Sequence, residues 1–236
     1  MAVAMKYLKV LKTLHQHLDP QVYFEVGVRA GRSLAHAPHR AVAVDPDLSP
    51  LRPVLRDRSG FQFYEQESDA FFRDHRREDV LGDARVDLAF IDGLHHSDQV
   101  ARDFANVERW CRPGAMVVMH DCWPDRPEIA YRESCPGQWA GDCWRVIPFL
   151  RRHRPDLELT VLDSGPTGLL IVRGLNPDSP DVGQYSGELD AEAAAPREQQ
   201  DREWAAYRAR EIAVEPETFL ASIGWDAPDE NDGEAD

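Results

Sequence analysis

Lysine is nearly missing from this chain: it occurs only at Lys6, Lys9 and Lys12, while acids outnumber lysine plus arginine 42 to 27 and leave a formal net charge of -15. A surface that negative repels polyanions, which argues against nucleic acid and anionic membranes and leaves small molecules and proteins as partners. Cysteine is scarce too. Cys111, Cys122, Cys135 and Cys143 form no CxxC pair and no zinc-finger spacing. With no cleavable signal ahead of them, they read as the reduced thiols of a cytoplasmic protein. No apolar run approaches the ~20 residues of a membrane-spanning helix. What is present, 42% hydrophobic and 9% aromatic residues over 236 positions, suffices for one buried core with additions.

Apolar periodicity switches repeatedly between strand and helix. Tyr7, Leu8, Leu11, Leu14 and Leu18 fall at helical spacing with the lysines opposite, which predicts an amphipathic helix from Met5 to Leu18. A strand over Gln21 to Val26 runs into Gly27, and a helix is expected from Ala30 to Ala37, stopped by Pro38. Further strands are predicted at Ala41 to Val44, ending in Asp45, at Phe61 to Tyr64, at Val86 to Ile91, and at Ala115 to Met119, ending in His120-Asp121. Helices are expected at Ser68 to His75 and Gln99 to Cys111. Strands alternating with helices imply an α/β fold with a doubly wound, mainly parallel sheet covered on both faces.

Leu157 to Leu162 and Leu169 to Val172 read as a closing antiparallel pair. Residues 176–200, rich in Pro, Gly, Ala and acids, read as a linker. A helix near Glu198 to Glu211, a short one from Pro216 capped by Gly224, and an acidic tail from Asp226 to Asp236 follow. The chain thus divides into a domain at 1–175 and an extension at 176–236. The extension is open to three readings: a homodimer contact, a cover over the site, or a solubilising tail.

Two features point to an adenosyl ligand. Phe24-Glu25-Val26-Gly27-Val28-Arg29-Ala30-Gly31 sets two glycines between a strand and the expected helix, where backbone can approach a ligand closely. Val28 and Arg29 stand where a dinucleotide fingerprint wants glycine, which disfavours an NAD(P)-dependent oxidoreductase. Asp45, at the end of the second strand, is placed to accept hydrogen bonds from ribose hydroxyls. A plain tight turn and a plain capping aspartate are the structural alternatives.

The run Phe90-Ile91-Asp92-Gly93-Leu94-His95-His96, a helix bearing Val100 and Asp103, the Pro113-Gly114 turn and a strand ending in His120-Asp121-Cys122 make the pattern specific. Together with the E-x-G-x-x-x-G spacing of Glu25, Gly27 and Gly31, it resembles the class I S-adenosylmethionine-dependent methyltransferases, in the family that contains bacterial natural-product and sugar O-methyltransferases. The resemblance spans Gln21 to Gly174, with Gly141 to Arg145 and Thr167 to Leu169 resembling later segments. It implies a seven-stranded Rossmann-like sheet, S-adenosylmethionine as cofactor, and methyl transfer to a hydroxyl of a small-molecule acceptor, a sugar, glycoside or phenol of bacterial secondary metabolism. It also implies that Glu25, Gly27 and Gly31 frame the methionine portion, Asp45 the ribose, and Glu67 with Ser68 the adenine edge, with Asp92 facing the reacting centre. A non-catalytic module that keeps the cofactor pocket is the rival reading.

Members of this family hold Mg²⁺ with an aspartate after the fourth strand and an acidic pair after the fifth. Asp92 and Asp121 match, but His120 and Cys122 flank Asp121 where a second acid would stand, and a thiol is a poor Mg²⁺ ligand. The cluster therefore has three readings. It is a divalent-cation site of Asp92, Asp121 and a histidine; or a metal-free site in which His95, His96 or His120 acts as general base; or plain structure. The stretch from Trp123 to Trp144, with Tyr131 and Trp139, reads either as a substrate lid or as an insertion packed on the body.

Overall fold

Continuous apolar runs become strands buried on both faces. The computed structural model describes residues 5–225. In chain order it contains α1 (Tyr7–Leu18), β1 (Val22–Val26), β2 (Arg40–Asp45), α2 (Pro53–Arg56), β3 (Phe61–Glu65), α3 (Ser68–Asp74), α4 (Arg77–Leu81), β4 (Val86–Ile91), α5 (Ser97–Trp110) and β5 (Cys111–His120). It continues with α6 (Val146–His153), β6 (Glu158–Leu162), β7 (Leu169–Arg173), α7 (Gly187–Ala193), α8 (Arg197–Arg210), β8 (Ala213–Val214) and α9 (Pro216–Ser222).

One sheet runs in the order β3-β2-β1-β4-β5-β7-β6-β8. β1 to β5 are mutually parallel, and β7 enters antiparallel between β5 and β6. The chain winds outward in both directions from the β1/β4 pair, so the crevice at the carboxyl ends of β1 and β4 is the topological switch point where such sheets place ligands. Side-chain alternation divides the core between two faces. Phe24 and Val26 of β1 pack with Phe71, Phe104 and Phe149 from α3, α5 and α6, whereas Tyr23 packs with Leu11, Leu14 and Leu220 from α1 and α9.

Four expectations from the sequence change. The sheet has eight strands rather than seven, because Ala213 and Val214 pair in parallel with Val161 and Leu162; two residues carry no readable period. The helix expected at Ala30 to Ala37 shrinks to a 3₁₀ turn at Leu34–His36, since Arg29 and Gly31 both adopt left-handed backbone and Pro38 closes the segment. The linker expected at 176–200 is structured: it holds a 3₁₀ turn at Val182–Tyr185, α7 and the start of α8, and Val182 and Leu189 are buried in the main core. α2, α4 and α6 were not expected at all. The acidic tail from Asp226 to Asp236 lies outside the described residues. Within them, no helix is long and apolar enough to cross a membrane, and all four cysteines are free.

Candidate active site

The crevice begins with a contact between backbones. Gly27 has φ +84°, and a Cβ there would lie 2.0 Å from the carbonyl oxygen of Asp92, so the turn after β1 rests directly on the turn after β4 and only glycine fits. The same turn is shaped from the other side by Asp45, whose Oδ2 accepts from the backbone N–H groups of Val28 at 2.7 Å and Arg29 at 2.8 Å. Arg29 is held at φ +47°. The bulky Val28-Arg29 step thus serves to present two amides to Asp45, and no α-helix starts at this turn.

These turns border a cavity of about 970 Å³. Of the residues expected to bind cofactor, Gly27, Asp45, Glu67, Ser68 and Asp92 line it; of those expected to do chemistry, Asp92, His95, His120 and Asp121 do. Glu25, Gly31 and His96 do not. Glu25 lies fully buried beneath the wall, where Ser33 Oγ donates to its Oε1 at 2.6 Å, and burial pushes its carboxyl up to about 8 against the effect of that hydrogen bond. Gly31 is glycine for packing, since a Cβ would meet Leu55 at 2.5 Å and Leu51 at 2.8 Å. His96 precedes α5 with its ring edge-on to Trp139. Sequence reasoning missed Tyr7, Arg32, Gln99 and Gln138, all on the wall. The signal for Tyr7 was present but misread: its place on the apolar stripe of α1 looked like core, yet the first turn of α1 reaches the cavity.

At the centre, His120 Nδ1 lies 3.0 Å from Asp92 Oδ1 and 3.4 Å from Asp121 Oδ2. Tyr7 covers the imidazole with ring centroids 4.2 Å apart, and His120 Nε2 is buried without a partner. Burial opposes a charge on His120, but the two carboxylates outweigh it and raise its pKa to about 10. Burial likewise opposes ionisation of Asp92, and the two imidazoles outweigh that, holding the carboxyl below its usual range. His95 Nδ1 stands 3.3 Å from Asp121 Oδ2, and its Nε2 stands 3.6 Å from Asp92 Oδ1. Against burial, these acids raise the His95 pKa above its ordinary value. Trp139 stacks on the His95 ring at 5.0 Å and 29°. Gly141 admits His95 from behind, because a Cβ there would sit 1.8 Å from the His95 carbonyl oxygen.

Asp121 takes a left-handed conformation, φ +61°, and Thr167 Oγ1 donates to its Oδ1. Its Oδ2 is buried and, despite the two nearby imidazoles, has no hydrogen bond of good geometry. Asp92, His95 and Asp121 each present a donor atom, and the three atoms lie within 4.8 Å of one another. Two carboxylates and an imidazole fit a divalent transition cation better than Mg²⁺, which takes oxygen ligands. Cys122 contributes nothing to such a set: its thiol donates to the His120 carbonyl at 3.3 Å, and burial pushes its pKa up.

The tryptophan-rich stretch divides between the two roles expected for it. Trp123 and Trp144 are buried in the main core, so most of it is packed on the body. Trp139 and Gln138 alone of its residues border the cavity.

Residues 24–122, from β1 to just past β5, match the family model described as a methyltransferase domain. No curated protein matches the chain in sequence. Among solved structures, it resembles the O-methyltransferase from Bacillus cereus in complex with SAH, at 16% identity and TM-score 0.54 over 70% of this chain and 79% of that one. It also resembles TomG from Streptomyces achromogenes, an O-methyltransferase involved in tomaymycin synthesis solved with SAM, at 18% identity and TM-score 0.51 over 70% and 78%. A third is the cofactor-bound Rv0187 from MTB, at 16% identity and TM-score 0.54 over 75% and 83%. At these identities the likeness establishes the fold alone. Residues 24–122, from β1 to just past β5, thus carry the match to a methyltransferase domain, and the chain shares its fold with these enzymes.

Proposed function

We propose that this chain moves the methyl group of S-adenosylmethionine to a hydroxyl of a small ring-bearing molecule, a phenol, sugar or glycoside of secondary metabolism, with His95 taking the hydroxyl proton. The observation that carries this reading is His95 itself. Its imidazole stands on the cavity wall between Asp92 and Asp121, beneath Trp139, at the switch point of the sheet. Methyl transfer is an in-line displacement at a sulfonium, so the protein supplies position and a base for the attacking oxygen. His95 suits the base better than His120, whose Nε2 is sealed in the protein and whose Nδ1 faces the carboxylates. Trp139, Tyr7 and Leu94 give the acceptor side flat apolar surface. On the cofactor side, Gly27, Asp45 and the Glu67-Ser68 pair take the methionine, ribose and adenine portions.

Calorimetric titration with S-adenosylhomocysteine tests the cofactor half. Micromolar binding by the wild type, weakened at least about tenfold in Asp45→Ala by loss of a charge-assisted contact, is expected. No binding by the wild type would overturn the reading. A second reading, favoured by the orphaned Asp121 Oδ2, puts a divalent cation on Asp92, His95 and Asp121. There it would polarise the acceptor oxygen. Turnover of an acceptor found in a panel of phenols and glycosides, lost on chelation and restored by Mn²⁺, would favour that reading. Cofactor binding with no turnover of any acceptor would favour a non-catalytic module.

A further inference from the structure

We propose that Tyr207, on α8 of the C-terminal extension, is a positioning residue of the active site: it fixes the backbone just after Asp121 and so aims the Asp121 carboxylate at His95 and His120. Its importance for catalysis rests on the methyl-transfer reading above.

The Tyr207 hydroxyl donates to the carbonyl oxygen of Cys122 at 2.6 Å, across 85 positions of sequence. Among the described residues it is the only group hydrogen-bonded to that carbonyl. The tyrosine ring is wedged between Trp123, edge-on at 5.6 Å, and Trp144 at 5.1 Å, so the donor has no freedom to follow a moving acceptor. On the next residue, the Trp123 N–H donates to the Thr167 carbonyl at 2.7 Å, and Gly168 admits the Trp123 Cβ where any side chain would collide at 2.2 Å.

This bracing matters because of what precedes it. Asp121 is a non-glycine residue at φ +61°, a conformation that costs about 1–2 kcal/mol and persists only where its surroundings hold it. Thr167 Oγ1 secures one carboxylate oxygen. Tyr207 secures the Cys122–Trp123 peptide, one residue further along the chain. The other carboxylate oxygen then has one direction open to it, 3.3 Å from His95 Nδ1 and 3.4 Å from His120 Nδ1. Without the hydroxyl, the Cys122 carbonyl is left buried and unpaired, and rotation of that peptide toward another donor shifts Cys122 and, through it, loosens the hold on the left-handed Asp121.

Tyr207→Phe keeps the ring between its two tryptophans and deletes only the donor, so the variant folds. The measurement is the histidine ring-nitrogen NMR spectrum at neutral pH, with the His95 and His120 signals assigned from His95→Gln and His120→Gln. Both signals are expected to move in Tyr207→Phe, while the affinity for S-adenosylhomocysteine stays as in the wild type and turnover falls by about tenfold to a hundredfold. Trp204→Phe, elsewhere on α8 and packed against the same core, is expected to leave both signals in place. Unmoved signals in Tyr207→Phe, or equal movement in Trp204→Phe, would overturn the proposal in favour of a purely structural role. Failure of the wild type to bind S-adenosylhomocysteine would sink the methyl-transfer reading instead and leave the ring-nitrogen result standing.

Discussion

His120 donates through Nδ1 to Asp92 Oδ1 at 3.0 Å beneath the ring of Tyr7, and this nearly sealed ion pair ties the end of β5 to the end of β4. Removing one partner of a buried pair leaves the other charge uncompensated, so His120→Asn is expected to cost about 3–5 kcal/mol. The pH dependence has a definite sign. The folded pKa of His120 lies near 10 against 6.5 for the free imidazole. Its contribution is therefore complete below 6.5 and fades as pH rises through about 10. Denaturant unfolding across that range should show the stability gap between wild type and His120→Asn narrowing with pH; a constant gap would mean that His120 is not charged in the fold.

For His95 the expected effect is on rate. Asp92 and Asp121 raise its pKa against burial, and a general base works only in its neutral form. The rate of methyl transfer should therefore climb with pH, with a midpoint above 6.5. His95→Gln should lose about 10²–10⁴ in turnover and abolish that limb, with the affinity for S-adenosylhomocysteine retained. An unchanged pH–rate profile in the variant would assign the base elsewhere.

The parts of this site that could be read from the sequence are those set by backbone pattern. Val86 to Ile91 was bounded to the residue, because an apolar run interrupted only by Asp87 and closed by Asp92-Gly93 reads as a strand in an α/β chain. Asp92 and Asp121 were identified because the Phe90 to His96 run and the strand ending in His120-Asp121 resemble a methyltransferase pattern that puts acids at those strand ends. What escaped depends on contacts remote in sequence. Nothing near Tyr7 says that it will cover His120, and nothing near Tyr207 says that it will reach Cys122. Glu25 and Gly31 fit the motif, yet burial and packing occupy them. The helix after Gly31 failed because two left-handed residues are invisible to periodicity.

Glu25 offers a test of burial cost. With its carboxyl raised from 4.5 to about 8, the folded chain keeps a proton that the unfolded chain releases over that range. Stability should fall as pH rises through this window, by up to about 1.4 kcal/mol per pH unit from this group. Glu25→Gln can still accept from Ser33 and cannot ionise. Thermal melts at a series of pH values should show the variant gaining on the wild type from 4.5 to 8. Parallel curves would mean that Glu25 is ionised in the fold.

Gly27→Ala should do more than strain a turn. Its Cβ would strike the Asp92 carbonyl, which no side-chain rotation can avoid, so the turns after β1 and β4 must part. Loss of S-adenosylhomocysteine binding and a marked drop in melting temperature are expected. Gly137→Ala is the control: φ is +89° but nothing lies within 4 Å, so only the conformational penalty of about 1–2 kcal/mol applies. Equal effects at the two positions would mean that the β1–β4 contact is unimportant.

Substitution of Trp139 tests acceptor binding apart from cofactor binding. It borders the cavity, stacks on His95, and is anchored by its own Nε1–H to the Tyr131 carbonyl at 2.8 Å, so its ring presents a fixed wall. Truncation to alanine removes flat apolar surface from the acceptor side and leaves the Gly27 and Asp45 turns untouched. Trp139→Ala should therefore raise KM for the acceptor by at least about tenfold, the scale of one lost aromatic contact. The affinity for S-adenosylhomocysteine should stay as in the wild type. A drop in turnover with KM unchanged would show that Trp139 acts by orienting His95 and not by holding the acceptor, and a loss of cofactor affinity would move it to the other side of the cavity.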